Sequence, residues 1–78
     1  MAIVVLGSIN IDLVVQVPNL PGKGETVIGK QFFAAAGGKG ANQAVAVAKL
    51  GCPVYLIGQV GGDNFGQTLL AGLRAAGV

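Results

Sequence analysis

The apolar positions of this chain predict extended structure in its first half and a strand between two helices in its second. Ile3–Leu6 is an unbroken aliphatic run ended by Gly7, which reads as a short buried strand. Ile11–Val17 stays extended, with Asp12 and Gln16 breaking the apolar pattern. Pro18, Pro21, Gly22 and Gly24 then mark a turn. The extended pattern resumes at Thr26-Val27-Ile28 and runs through Phe32-Phe33, so the two stretches are expected to pair as a hairpin across the Pro/Gly loop.

Beyond residue 37 the period changes. Ala41, Ala44, Val45 and Ala48 share one face of a helix predicted over Gly40–Leu50, and their small size suits close packing on a sheet. Gly51 supplies a left-handed stop and Pro53 follows it. Val54–Ile57 is a second β-branched and aromatic strand, ended by Gly58. Asp63 or Asn64 is placed to cap a second helix with an apolar stripe of Phe65, Leu69, Leu70 and Leu73. Gly77 closes it, and Val78 reads as the first residue of a further strand. The order strand, hairpin, helix, strand, helix predicts an α/β fold with a parallel, helix-covered sheet. The hairpin departs from that plan and reads as an accessory flap.

Composition sharpens the picture. The 78 residues suit one small domain, yet 53% are hydrophobic and only 10% charged, against about 25% charged in typical soluble domains. A domain this small buries only about 60% of its unfolded surface, so much apolar area is expected to face a missing partner surface. No apolar run approaches the roughly 20 residues that span a bilayer: the longest, Ala41 to Ala48, is interrupted by Asn42 and Gln43 and followed by Lys49. Met1–Leu6 lacks a basic lead and is short for a signal core. The expectation is a piece of a larger cytoplasmic α/β protein, with both faces of its strands covered in the parent. Net charge is +2, and Lys23, Lys30, Lys39, Lys49 and Arg74 are scattered, which argues against a nucleic-acid surface. One cysteine and no histidine exclude a disulfide framework and most zinc sites. Cys52, between Gly51 and Pro53, reads as a small hydrophobe entering a strand.

Three motifs are candidates for chemistry. Asn10 and Asp12, at i and i+2 on extended chain, project to one side, while Ile9, Ile11 and Leu13 take the other. A carboxylate beside a carboxamide suits a polyhydroxy ligand, since Asp accepts from hydroxyls and Asn both donates and accepts. A turn-capping role for Asp12 is the competing reading. The second motif, Gly37-Gly38-Lys39-Gly40-Ala41-Asn42, leaves the backbone bare at the mouth of a helix, where amides accept anions and ligand oxygens. It is not a Walker A loop, because Gly40 follows Lys39 where Ser or Thr is needed. Nor is it a Rossmann fingerprint, because Gln43 stands where the third glycine belongs. A plain tight turn with a solvated lysine is the alternative. In the third, Gly61-Gly62-Asp63-Asn64-Phe65-Gly66, a helix cap is favoured over a metal or phosphate role for Asp63. No histidine is available as a general base, and no carboxylate pair has catalytic spacing.

Together these motifs resemble the PfkB, ribokinase-like family of carbohydrate kinases, over the whole chain. The resemblance rests on Gly7-Ser8-Ile9-Asn10-Ile11-Asp12, on Pro21-Gly22 and Gly24-Glu25-Thr26, on Gly37–Ala44, and on Val60-Gly61 with Asp63 and Gly66. The stretch Gly38–Asn42 is its most specific part and points to the ribokinase branch. The resemblance implies the amino-terminal part of a three-layer α/β/α sheet, with residues about 12–36 forming a β-hairpin lid. It implies that Asn10, Ile11 and Asp12, with Gly38, Lys39, Gly40, Ala41 and Asn42, line a sugar pocket. It implies ATP-dependent phosphorylation of ribose on its primary carbon, assisted by Mg²⁺ and a monovalent cation (K⁺), in a homodimer joined through the lid. The family's catalytic aspartate and its ATP- and cation-binding segments lie near the carboxyl end, outside these 78 residues, so the chain alone is expected to be inactive. The alternatives are a related kinase of fructose, a ketodeoxy sugar acid or a nucleoside, and a non-catalytic binding or assembly module. A dinucleotide-binding domain is disfavoured by the missing third glycine.

Overall fold

The computed structural model describes all residues, 1–78. Its elements run β1 (Ile3–Leu6), β2 (Asn10–Gln16), β3 (Gln31–Gly37), α1 (Lys39–Lys49), β4 (Val54–Ile57) and α2 (Asn64–Ala75). They form two small sheets. β1 pairs with β4 in parallel, Ile3 opposite Val54 through Leu6 opposite Ile57, and β2 pairs with β3 antiparallel, Asn10 opposite Gly37 through Gln16 opposite Gln31.

The parallel pair is the expected α/β core. α1 lies between β3 and β4 in sequence and packs on both β1 and β4. Ala44 is fully buried there, with Ala41 and Val54 nearly so; the small residues of α1 let its backbone sit close to the strands. The opposite face is bare: Val4, Leu6, Tyr55 and Ile57 are 57–80% exposed. Of the three layers expected, these residues supply the sheet and the helices of one face. Only 7 of 78 residues are buried. The radius of gyration is 16.1 Å, against about 11.5 Å for a compact chain of this length. The difference comes from the hairpin, which extends away from the core.

Both helices stop as their sequences predict. Gly51 and Gly77 take φ of 83° and 94°. In each case the glycine N–H donates three residues back, to Ala48 or Arg74, and the following N–H donates five residues back, from Cys52 to Val47 and from Val78 to Leu73. This paired pattern closes a helix end on a left-handed residue. Val78, the last residue, completes the cap of α2 through its N–H on the Leu73 carbonyl. Asp63 is the N-cap of α2 and accepts from the Gly66 N–H at 2.8 Å, as the sequence favoured. Leu69 is buried and Leu70 and Leu73 half-buried, whereas Phe65 stays largely exposed.

The hairpin differs from expectation in one arm. β3 begins at Gln31, and Thr26-Val27-Ile28 form no strand. Continuing the register past Gln16 and Gln31 would set Thr26 opposite Pro21 and Gly29 opposite Pro18. Proline offers no N–H to such a ladder, so pairing ends with the Lys30 N–H on the Gln16 carbonyl at 2.7 Å. β3 instead runs on through Ala34-Ala35-Ala36 to Gly37, directly into α1.

Candidate functional site

The site candidates gather where the hairpin base meets the first turn of α1. Three residues, Gly7-Ser8-Ile9, carry the chain from β1 into β2, and they cross the N-terminus of α1. The Ala41 N–H donates to the Ser8 carbonyl at 3.0 Å. Gly38, the N-cap, has φ 100° and ψ 129°. A Cβ there would lie 2.5 Å from the Ser8 oxygen and 2.9 Å from the Asn10 nitrogen. Glycine is thus required twice at this position, for its backbone angle and for the space it leaves.

Across the hairpin, Asn10 is the register partner of Gly37 and Asp12 that of Ala35. The Asp12 carboxylate leans over Gly37, so that a Cβ on Gly37 would come within 2.9 Å of Oδ2. Asp12 sits inside β2 and caps no turn, which removes the competing reading. Both Asn10 and Asp12 are exposed, and neither side chain bonds within the chain, where side-chain hydrogen bonds involve only Cys52 and Asp63. Ile11 occupies the intervening position, half-buried and opposite Ala36, so strand alternation turns its side chain to the other face.

The helix end supplies matching donors. No side chain caps α1, and no acidic residue lies in its first turn. The Ala41 N–H is taken by Ser8, and the Asn42 N–H by the Gly38 carbonyl. The Lys39 and Gly40 amides have no backbone partner among the chain's turn and cap hydrogen bonds. Free amides at a helix start, with the positive end of the helix dipole behind them, attract anions and ligand oxygens. The Asp12 carboxylate thus reaches Gly37 and the Asn10 backbone reaches Gly38, beside the exposed Lys39, while Gly40 is buried against Gly7.

A cavity of about 530 Å³ lies nearby, between α1, α2 and the hairpin base, lined by Ile9, Ala36, Ala41, Asn42, Leu69 and Leu73 among others. Asn10 and Asp12 do not line it. Asp12 therefore lies against Gly37 and Asn10 against Gly38, next to Lys39, whereas Gly40 packs on Gly7 and Ser8, and Ala41 and Asn42 line the apolar cavity. Sequence reasoning missed Gly7 and Gly58 as parts of this junction. Their φ angles are unexceptional, so no turn pattern marks them; only the close approach of separate segments does.

Comparison with known proteins bears on this geometry. A model of the pfkB family carbohydrate kinases matches residues 2–78. The chain belongs to the pfkB family. Among family members, the ribokinase of Bacillus subtilis is 51% identical over 76 residues, covering 97% of this chain and 26% of that protein. Among solved structures, the ribokinase of Thermotoga maritima superposes with a TM-score of 0.90 at 38% identity, covering 97% of this chain and 26% of that one. The ribokinase of Arabidopsis thaliana complexed with ribose and ATP gives 0.86 at 43% identity, covering 99% and 25%. The chain thus spans about a quarter of the length of the pfkB relatives it matches. The mixed α/β fold expected from the sequence is that of these pfkB structures.

Proposed function

We propose that this chain is the sugar-binding amino-terminal part of an ATP-dependent kinase that converts D-ribose to ribose 5-phosphate. The observation that carries the reading is the approach of Asp12 and Asn10 to the Gly37-Gly38 turn that opens α1, next to the exposed Lys39, whose amide has no partner among the turn and cap hydrogen bonds. Several hydroxyls on one ring need acceptors and donors held at fixed separation, and this surface offers both. Asp12 and Asn10 accept from and orient the sugar hydroxyls; the glycine-rich turn brings bare amides close to the ring; Asn42 and Ala41 bound its apolar side. The similarity to ribokinases, including one complexed with ribose and ATP, supports ribose as the sugar.

In the proposed reaction the sugar's primary hydroxyl attacks the γ-phosphorus of ATP, its proton passes to a base, and ADP leaves. These residues hold the sugar. In this reading contacts to ATP, Mg²⁺ and K⁺, and the base, belong to the remainder of the complete protein. The hairpin β2–β3 serves as a lid that excludes water, which otherwise competes for the phosphoryl group. Its exposed Leu13, Val15 and Phe32 suit pairing with a second copy. The complete enzyme is placed in the cytoplasm in this reading; no helix of the chain is long and apolar enough to cross a membrane. The 78 residues by themselves are inactive in this reading.

The test is ADP release by the complete protein, coupled to a spectrophotometric readout, over ribose, deoxyribose, fructose and a nucleoside. Ribose is expected to give the highest kcat/KM. Preference for another sugar overturns the choice of ribose, and turnover of none overturns the kinase reading.

A further inference from the structure

Gly7 is not one of the residues assigned to sugar, yet two other segments close on it. A Cβ on Gly7 would lie 2.8 Å from the Gly40 Cα, and a Cβ on Gly40 would lie 2.7 Å from the Gly7 Cα and C and 2.8 Å from the Ser8 nitrogen. From the other side, a Cβ on Gly58 would lie 2.9 Å from the Gly7 oxygen and 3.0 Å from the Ile9 side chain. The Gly7 N–H is tied to the Ile57 carbonyl at 3.2 Å and the Ser8 carbonyl to the Ala41 N–H at 3.0 Å. None of Gly7, Gly40 and Gly58 has a positive φ. They are glycine for room, where the end of β1, the start of α1 and the end of β4 touch backbone to backbone.

We propose that Gly7 is a positioning residue for the sugar site. Its bare Cα fixes how closely the β1–β2 crossing docks on α1, and so fixes the separation between Asn10 and Asp12 on one side and the exposed Lys39 start of α1 on the other. This inference rests on the proposed sugar kinase reading. The two halves of the surface come from different segments, and Gly7 and Gly40 meet backbone to backbone between them. Ordinary contact for a Cβ begins near 3.4 Å, so alanine at position 7, with its Cβ at 2.8 Å, moves the two segments apart by up to about 0.6 Å. Misplacement by 1 Å can cost about a hundredfold in an arranged site, so the shift predicts roughly a tenfold loss.

The test is Gly7→Ala in the complete protein, with sugar and ATP KM measured separately beside the melting temperature. Sugar KM is expected to rise about tenfold while ATP KM stays within about twofold of the wild type. A merely structural role lowers the melting temperature and the fraction of active enzyme but leaves the sugar KM of that fraction unchanged. If Gly7→Ala does not fold, Gly58→Ala presses on the same junction from its exposed edge and is read the same way. Gly72→Ala, with nothing within 4 Å of the added Cβ, is the control and keeps wild-type KM values. An unchanged sugar KM, or equal rises in sugar and ATP KM, overturns the proposal while leaving the kinase reading intact. A wild type that turns over no sugar overturns both.

Discussion

Replacing Asp12 by alanine separates binding from folding unusually well. The carboxylate is exposed and makes no hydrogen bond within the chain. Truncation leaves no orphaned group and no cavity, so folding stability should change by no more than about 0.5 kcal/mol. The cost falls on the ligand instead. A hydrogen bond to a charged group is worth about 1.5–3 kcal/mol, which converts at 1.36 kcal/mol per decade to roughly a 10- to 150-fold loss of kcat/KM. Asp12→Asn keeps one acceptor oxygen and should fall between alanine and wild type. Coupled ADP release over a ribose titration, with melting curves on the same samples, measures both quantities. A kcat/KM within twofold of wild type for Asp12→Ala would refute the assignment of Asp12 to the sugar. A large fall in melting temperature would refute the premise that its side chain is idle in the fold.

Other perturbations probe the frame. Gly38→Ala combines a φ of 100° with a Cβ 2.5 Å from the Ser8 oxygen; backbone strain alone costs about 1–3 kcal/mol, and wild-type stability in urea would contradict the geometry. Asp63→Ala removes the bond to the Gly66 N–H and should cost about 1 kcal/mol, with sugar KM unchanged and Asp63→Ser retaining most of the stability. Ala44→Leu overfills a fully buried site against the sheet and should cost about 1–3 kcal/mol, read from the denaturation midpoint. Gly72→Ala, in open space within α2, should add up to about 1 kcal/mol, raising the melting temperature.

Elements written in local chemistry were legible in the sequence. Ile3–Leu6 and Val54–Ile57 are strands at the predicted residues, and α1 is displaced by one residue from Gly40–Leu50. Gly51 and Gly77 end their helices because they lack a Cβ, and Asp63 starts its helix through its carboxylate. The hairpin was legible as a hairpin but not in its register. Strand propensity at Thr26-Val27-Ile28 was a local signal, and the longer-range pairing, which would set Pro21 opposite Thr26 and Pro18 opposite the adjoining Gly29, cancelled it.

The candidate site divides the same way. Residue types and the i, i+2 spacing of Asn10 and Asp12 come from the chain itself, as does the bare backbone of Gly37–Gly40. Strand alternation and helix polarity are properties of a few neighbouring residues, so they survive without tertiary information. That Asp12 leans on Gly37, that Ser8 crosses the start of α1, and that Gly7 lies between Gly40 and Gly58 are contacts between segments distant along the chain. Only the closed fold brings such segments together, because glycine's second use, leaving room for another backbone, has no pattern in a single stretch of sequence.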